Sequence, residues 1–419
     1  MIFPTHWTTP RARYVFFHRD LRGVDAPLAS ATKDGVTLRT DLGFSVWNPD
    51  SNVSNYKLVE PNDFVIGLRS FQHGISHSTV RGIVSPAYTV LRAAQGADPC
   101  FYKHYFRSGL LVSQLANITQ GIRQGQAIDI EAFKNLRVPM PPLEEQRRIA
   151  DFLDAETARI DAVTDKRNAQ MAALDERELA IIGRMLSGEA TPTDGQATGW
   201  PWLPWVPKSW LIGPVYAYFF TELGKMLDPA RTAGQTQRPY LRNANVHWYE
   251  IDTSDMATMH FEANEVRRYS VQPGDLLVCE GGAGVAEAAV WDGRIAECYF
   301  QKSLHRVRQA GNVPVEWLML WLRYAKSCGV FDADGNIATI PHLTGEQLRQ
   351  YRIPIPPDSA AITKDTLRAI DASAALRRRL GEAQKLLAER RQALITAAVT
   401  GQFDVSTASG RNVTEGVTE

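Results

Sequence analysis

The chain has 419 residues, 44% of them hydrophobic and 22% charged, with 46 Lys/Arg set against 46 Asp/Glu. That is the composition of an ordinary folded protein of two or three domains. No apolar run reaches the eighteen or so residues that cross a membrane, and the N-terminus lacks the zones of a signal peptide. Cys100, Cys279, Cys298 and Cys328 stand too far apart for metal-ligand spacing and read as free thiols in a reducing cytoplasm. Zero net charge argues against a nucleic-acid partner, but the charge is uneven. Residues 1–142 hold 15 Lys/Arg and 10 Asp/Glu, residues 143–190 hold 7 and 11, residues 191–357 hold 15 and 17, and residues 358–419 hold 9 and 8. Only the first globular half is basic, so a nucleic-acid footprint would be a local patch.

Residues 1–142 read as mixed α and β. FVIGL (64–68) and GIVSPAYTVLR (82–92) place β-branched and aromatic residues between turn formers, which predicts strands. FYKHYFRSGLLVSQLANI (101–118) has helical spacing of its apolar groups. A proline stop, LRVPMPP (136–142), is followed by a stretch with neither Pro nor Gly until Gly183. Proline fits just before a helix but not inside one, and Glu144 and Glu145 put negative charge at the positive end. Leu153, Ile160, Leu174 and Ile181 form a seven-residue series, interrupted by Arg167. The spacing predicts a long helix over 143–190 with a seam for a second helix, one that spaces two bodies apart. TPTDGQATG (191–199) reads as a polar linker. WPWLPWVPKSW (200–210) carries four tryptophans that could stack bases; an extended segment capping a core is preferred. The second half repeats the strand pattern with LLVCE, AAVW and CYFQKSLHRVR, then a helix through VPVEWLMLWLRYA. YRIPIPP (351–357) precedes a second long helix through Leu367, Ile370, Leu376, Leu380, Leu387 and Leu394. Residues 406–419 are expected to be a frayed tail.

These segments repeat in order. PTHWTTPRARYVF (4–16) pairs with PKSWLIGPVYAYF (207–219), VEPNDFVI (59–66) with VQPGDLLV (271–278), and LRVPMPP with YRIPIPP. The helix ends ERELAIIGRMLSGE (176–189) and ERRQALITAAVTGQ (389–402) also match. The offsets are 203, 212, 215 and 213 residues, a duplicated domain plus its helix rather than a solenoid.

PMPPLEEQRRIADFLDAETARIDA, at the start of the first long helix, resembles the central conserved helix of specificity (S) subunits of type I restriction–modification enzymes. GIVSPAYTVLR, YLRNANVHW (240–248), ATIPHLTGEQL (338–348) and AAVTGQFDV (397–405) are similar to other recurrent stretches of that family. The resemblance spans about residues 4–405. It implies an α+β fold in which two similar mixed α/β target recognition domains (1–142 and 191–357) are separated by two long antiparallel coiled-coil helices (143–190 and 358–405), with an internal pseudo-twofold repeat. It further implies a non-catalytic, cytoplasmic subunit that binds double-stranded DNA and docks methyltransferase (M) subunits, two per chain, and restriction (R) subunits. The chain itself would bind no cofactor; S-adenosylmethionine, Mg and ATP would sit on the partners. One departure from the family pattern is DSAA (358–361), which follows the second proline stop in place of a copy of LEEQ.

The DNA-contact candidates are polar side chains in loops that flank the strands, because Arg and Lys read guanine edges and Asn and Gln adenine edges, and any of them binds phosphate. In the first half they are Arg69, Gln72, His73, Lys103, His104, Arg123 and Gln124. In the second half they are Arg242, Asn243, Asn245, Lys302, His305 and Lys326, with His342 equally readable as structural. EGGAGVAEAAVWDG (280–293) is read as a turn between strands rather than a cofactor loop, since no helix follows. His73 and His77 lack a third ligand and a helical context for zinc. Pro273 to Asp275 with Glu280 reads as a structural turn, not a nuclease carboxylate pair. Absence of an Asn-Pro-Pro-aromatic tetrapeptide and of a Walker lysine loop argues against methyl transfer and ATP use by this chain. Two rival readings are a coiled-coil scaffold with no nucleic-acid role and a nuclease acting by itself.

Overall fold

The computed structural model describes residues 3–43, 53–68, 70–120, 127–227, 236–332 and 341–405; the expected frayed tail lies outside them. The chain divides into two compact units, Met1–Asn168 with Gly381–Glu419, and Ala169–Leu380. Each contains one domain with part of both long helices, Leu143–Ser187 and Ser359–Val399.

The first unit is built on a four-stranded antiparallel sheet in the order Phe16–Arg19, Thr89–Ala93, Phe64–Ile66, Ser76–His77. The second unit has Phe219–Leu223, Leu304–Gln309, Leu276–Cys279 and Ala288–Val290 in the same order and sense. Register is repeated residue by residue. Phe17 faces Arg92 and Phe220 faces Arg308; Phe64 faces Leu91 and Leu276 faces Val307. The proline stops close each domain against its own first segment. Thr8 bridges Met140 and Arg11 bridges Arg137; in the other unit Leu211 pairs with Ile355 and Pro214 with Arg352. The sequence offsets of 203 and 215 are therefore partners across one strand pair. A one-residue slip would turn each buried set outward, so this agreement specifies the duplication more sharply than identity does.

The long helices complete both cores. In the first unit Phe16, Phe64, Phe101, Tyr102 and Phe106 pack with Ile149, Ala150 and Leu153 of the first helix and Leu394, Ile395 and Ala398 of the second. In the second unit Phe219, Leu276, Trp317 and Trp321 pack with Ile182, Met185, Leu186 and Ile370. Burying one such side chain stabilises by about 1.5–3 kcal/mol, so each helix is held mainly by the domain at its end. Trp200 and Trp202 stack at 5.6 Å, and Trp202 meets Trp321 at 5.8 Å, on that second core.

Both helices stop in the same way. Gly188 (φ +55°) and Gly401 (φ +72°) take left-handed conformations that only glycine adopts without strain. A Cβ at Gly188 would strike Pro207 and Trp210, and one at Gly401 would strike Pro4. Each helix end is thus the seat of the next domain's first segment, PKSW or PTHW.

Within the first unit the two helices run antiparallel, with Asp161 bonded to Arg391 at 3.2 Å and Asn168 to Gln384 at 2.6 Å, seven residues on along one helix and seven back along the other. In the second unit Asp175 and Arg377 lie 3.1 Å apart. The expected seam of leucines differs here. Leu376 is half exposed, and Leu174 and Ile181 are only partly covered, because Ile182 takes the buried position beside them. Polar pairs at heptad spacing replace the missing apolar contacts and fix register.

The helix starts also became explicit. Glu145 accepts hydrogen bonds from the Trp7 indole and His6, both at 3.0 Å. The buried Gln146 side chain accepts from the Asp98 amide at 2.8 Å and donates to the Gly96 and Pro141 carbonyls. LEEQ is therefore a clasp between helix and domain. The stretch expected to be one helix after Phe101 is two, Pro99–Tyr105 and Gly109–Asn117, because Ser108 caps a new N-terminus on Leu111. The linker read at 191–199 holds a short strand, Gly195–Ala197, paired with Trp205–Pro207.

Candidate nucleic-acid interface

In the first unit a polar cleft of about 990 Å³ gathers Gln72, His73, Lys103 and His104 with Lys33, Arg107 and Arg391. Gln72 and His73 are exposed on its wall. Lys103 and His104 both turn toward Asp154 of the first long helix, at 2.8 and 2.7 Å. Burial opposes the Asp154 charge, but hydrogen bonds from Lys103 and His104 outweigh it and hold the carboxyl below its ordinary range. Burial, against the pull of Asp154, holds the His104 imidazole below its own. His104 is nearly covered, and as placed its Nε2 fastens the domain to the helix at the edge of the cleft. Arg69, Arg123 and Gln124 lie outside the described residues.

The second unit brings its candidates to the loop joining Leu276–Cys279 to Ala288–Val290. Asn243 donates to the Gly281 carbonyl at 2.8 Å, and its amide reaches Ser303 at 3.1 Å. Lys302 stands exposed beside Ser303. His342 approaches the Glu280 carbonyl at 3.2 Å and its carboxylate at 3.7 Å. Burial raises the Glu280 carboxyl, with His342 and Lys302 opposing. Lys326 braces the same loop through Ala283 at 3.1 Å and Glu287 at 3.3 Å. Arg242 is paired with the exposed Asp255 at 2.7 Å, a bond that a phosphate can compete for in water.

Two further candidates are buried. Asn245 is buried and spends its amide on the Asp252 and Asp255 carbonyls and its oxygen on the Arg242 amide. His305 is fully buried and bonds the Leu343 carbonyl at 2.7 Å. Asn245 spends its side chain internally, whereas the buried His305 Nδ1 has no hydrogen-bond partner among the described residues.

The glycine-rich stretch is a loop between antiparallel strands. Asp275 is a turn acid: it accepts from the Gln272 amide at 2.7 Å and from Arg308 at 2.6 Å. Asp63 does the same with the Glu60 amide and Arg92, both at 2.8 Å. No group of three or more possible metal ligands occurs among the described residues, and no described helix is long and apolar enough to cross a membrane.

A surface that the sequence reading missed lies at the start of the first domain. Arg11, Arg13 and Arg137 are exposed, and no acidic partner lies within ion-pair distance of them among the described residues. Their scattered sequence positions hid the cluster; the Arg11–Arg137 bridge assembles it.

The profile of the Type I restriction modification DNA specificity domain matches residues 88–172. The EcoKI specificity subunit of Escherichia coli (strain K12), a type I restriction enzyme component, is 24% identical over 257 residues, 59% of this chain and 53% of that protein; the chain thus spans about half the length of the curated relative it matches. A chain solved in work on complex assembly and conformational transition of the type I R-M system superposes with a TM-score of 0.59 at 19% identity, covering 96% of this chain and 100% of that one. The HsdS subunit from Thermoanaerobacter tengcongensis aligns over 96% of this chain and 99% of its own at 18% identity, with a TM-score of 0.39. The chain is therefore similar in sequence to the specificity subunits of type I restriction–modification systems and shares the fold of a chain solved in such a system.

Proposed function

We propose that this protein is the DNA-reading, non-catalytic subunit of a type I restriction–modification complex. The observation that carries the proposal is the duplication of one four-stranded domain, each copy followed by a proline stop and a long helix. Two copies of a reader on one chain suit a two-part target, and because the copies differ in loop sequence, each part differs. Gln72 and His73 in the first half, and Lys302, Asn243 and Arg242 in the second, are the side chains proposed to meet DNA. The helices, about 65 Å of rise in the longer, set the unread gap and dock two methyltransferase subunits, through which restriction subunits attach. S-adenosylmethionine, Mg and ATP belong to those partners.

The test is binding of duplex DNA by the full chain together with its methyltransferase subunits, across a salt series. Readers of DNA release counterions, so affinity falls steeply as salt rises. Absence of any salt-dependent duplex binding would favour the scaffold reading instead.

A further inference from the structure

Arg11 Nη1 lies 3.2 Å from Asn135 Oδ1, and Arg13 reaches the same oxygen. The Asn135 amide group is itself anchored to the Glu131 carbonyl at 2.9 Å, and the Glu131 carboxylate is taken by Lys134 at 2.6 Å. Two guanidinium groups therefore converge on one neutral oxygen. Their mutual repulsion is unrelieved, and each keeps free N–H donors. Arg137, directly opposite Arg11, adds a third positive charge. Tyr14, 71% exposed, stands beside the pair.

The duplicated half shows which part is structural and which is added. Arg137 donates to the Thr9 carbonyl at 3.1 Å, and Arg352 donates to the Ile212 carbonyl at 2.6 Å, the same brace with the arginine 215 and the acceptor 203 residues on. Arg11 and Arg13 have no such counterpart. Pro214 and Tyr216 occupy their places, and beside the exposed Arg352 that surface shows Leu211, Tyr216 and Phe220, exposed by 65%, 57% and 69%. The fold does not require cations here.

We propose that Arg11 and Arg13 form a clamp for the phosphate backbone of duplex DNA, present in the first half only. A phosphate oxygen supplies the negative charge that the shared amide oxygen lacks, and paired guanidinium groups match its geometry. The clamp reads no sequence; it adds affinity for any duplex and sets the first half on the backbone. This rests on the DNA-reading function above, and it assigns much of the salt-dependent binding to one half of a duplicated molecule.

The experiment uses the full chain with its methyltransferase subunits and compares wild type, Arg11→Gln/Arg13→Gln and Arg11→Lys/Arg13→Lys on specific and unrelated duplexes from low to moderate salt. Loss of two phosphate contacts should flatten the slope of log affinity against log salt by about 2, equally on both duplexes, while the lysine variant keeps most of the slope. The methylated sequence should stay the same. An unchanged slope in the glutamine variant overturns the clamp while leaving the DNA-reading function intact. An unchanged slope with loss of methyltransferase co-purification overturns it in favour of an acidic protein surface as the partner. No salt-dependent binding by wild type overturns both readings together.

Discussion

The buried carboxylate of Glu178 lies 2.7 Å from the Arg377 guanidinium, joining the first long helix to the second. The same carboxylate takes Arg323 at 3.0 Å and the Tyr249 hydroxyl at 2.8 Å. One side chain therefore ties both helices to the second domain. Burial and then the Glu178 charge push the Tyr249 hydroxyl far above its ordinary range, so Tyr249 remains a donor. Removing one partner of a buried pair strands the others. Glu178→Gln should lower stability by about 3–5 kcal/mol, seen as a lower unfolding midpoint for the second unit by urea titration.

Asp63 and Asp275 offer a paired test of the duplication. Each is buried and each accepts from a backbone amide three residues earlier and from an arginine on the neighbouring strand. Asp63→Asn and Asp275→Asn should each cost about 1.5–3 kcal/mol. The two share no partners, so the double variant should show the sum. Unequal costs would mean that the turns are alike in shape only.

That equivalence shows what the sequence could reveal. VEPNDFVI and VQPGDLLV aligned because a turn acid and its strand obey local rules, and LRVPMPP and YRIPIPP aligned because each closes a domain. The first long helix followed from a proline stop and a run free of Pro and Gly up to Gly183, and the second from a proline stop and its leucine series, which continues through Gly381. The site residues were harder. Asn245 and His305 looked like loop donors, but burial depends on distant segments such as Leu343. Arg11 and Arg137 become neighbours only through a bridge spanning the whole first domain. The polar rungs at Asn168 and Gln384 needed the helix register, which neither helix carries alone.

Acid should weaken the first unit. Burial, and then Lys103, lower the His77 pKa to about 4 from 6.5. The folded state keeps the neutral imidazole, so the unfolded chain binds more protons between those values. Stability is full above about pH 6.5 and falls as pH drops toward 4, by up to about 3 kcal/mol. Denaturation at pH 7 and pH 5 should show the loss in wild type and a smaller one in His77→Asn.

Thiol labelling of the native protein should modify Cys100 and Cys328, which are exposed, and spare Cys279 and Cys298. Burial pushes both of the latter thiols up to about 12, which leaves almost no thiolate at neutral pH. Four labelled cysteines in the folded chain would contradict this packing.

The most direct measurement of the central claim is genome-wide mapping of N6-methyladenine after co-expression with the cognate methyltransferase subunits. Two readers on one chain predict a two-part asymmetric target with a fixed unread gap. Removing one turn from both long helices should change that gap and leave the read bases alone. A single uninterrupted target, or read bases that change with helix length, would contradict the account.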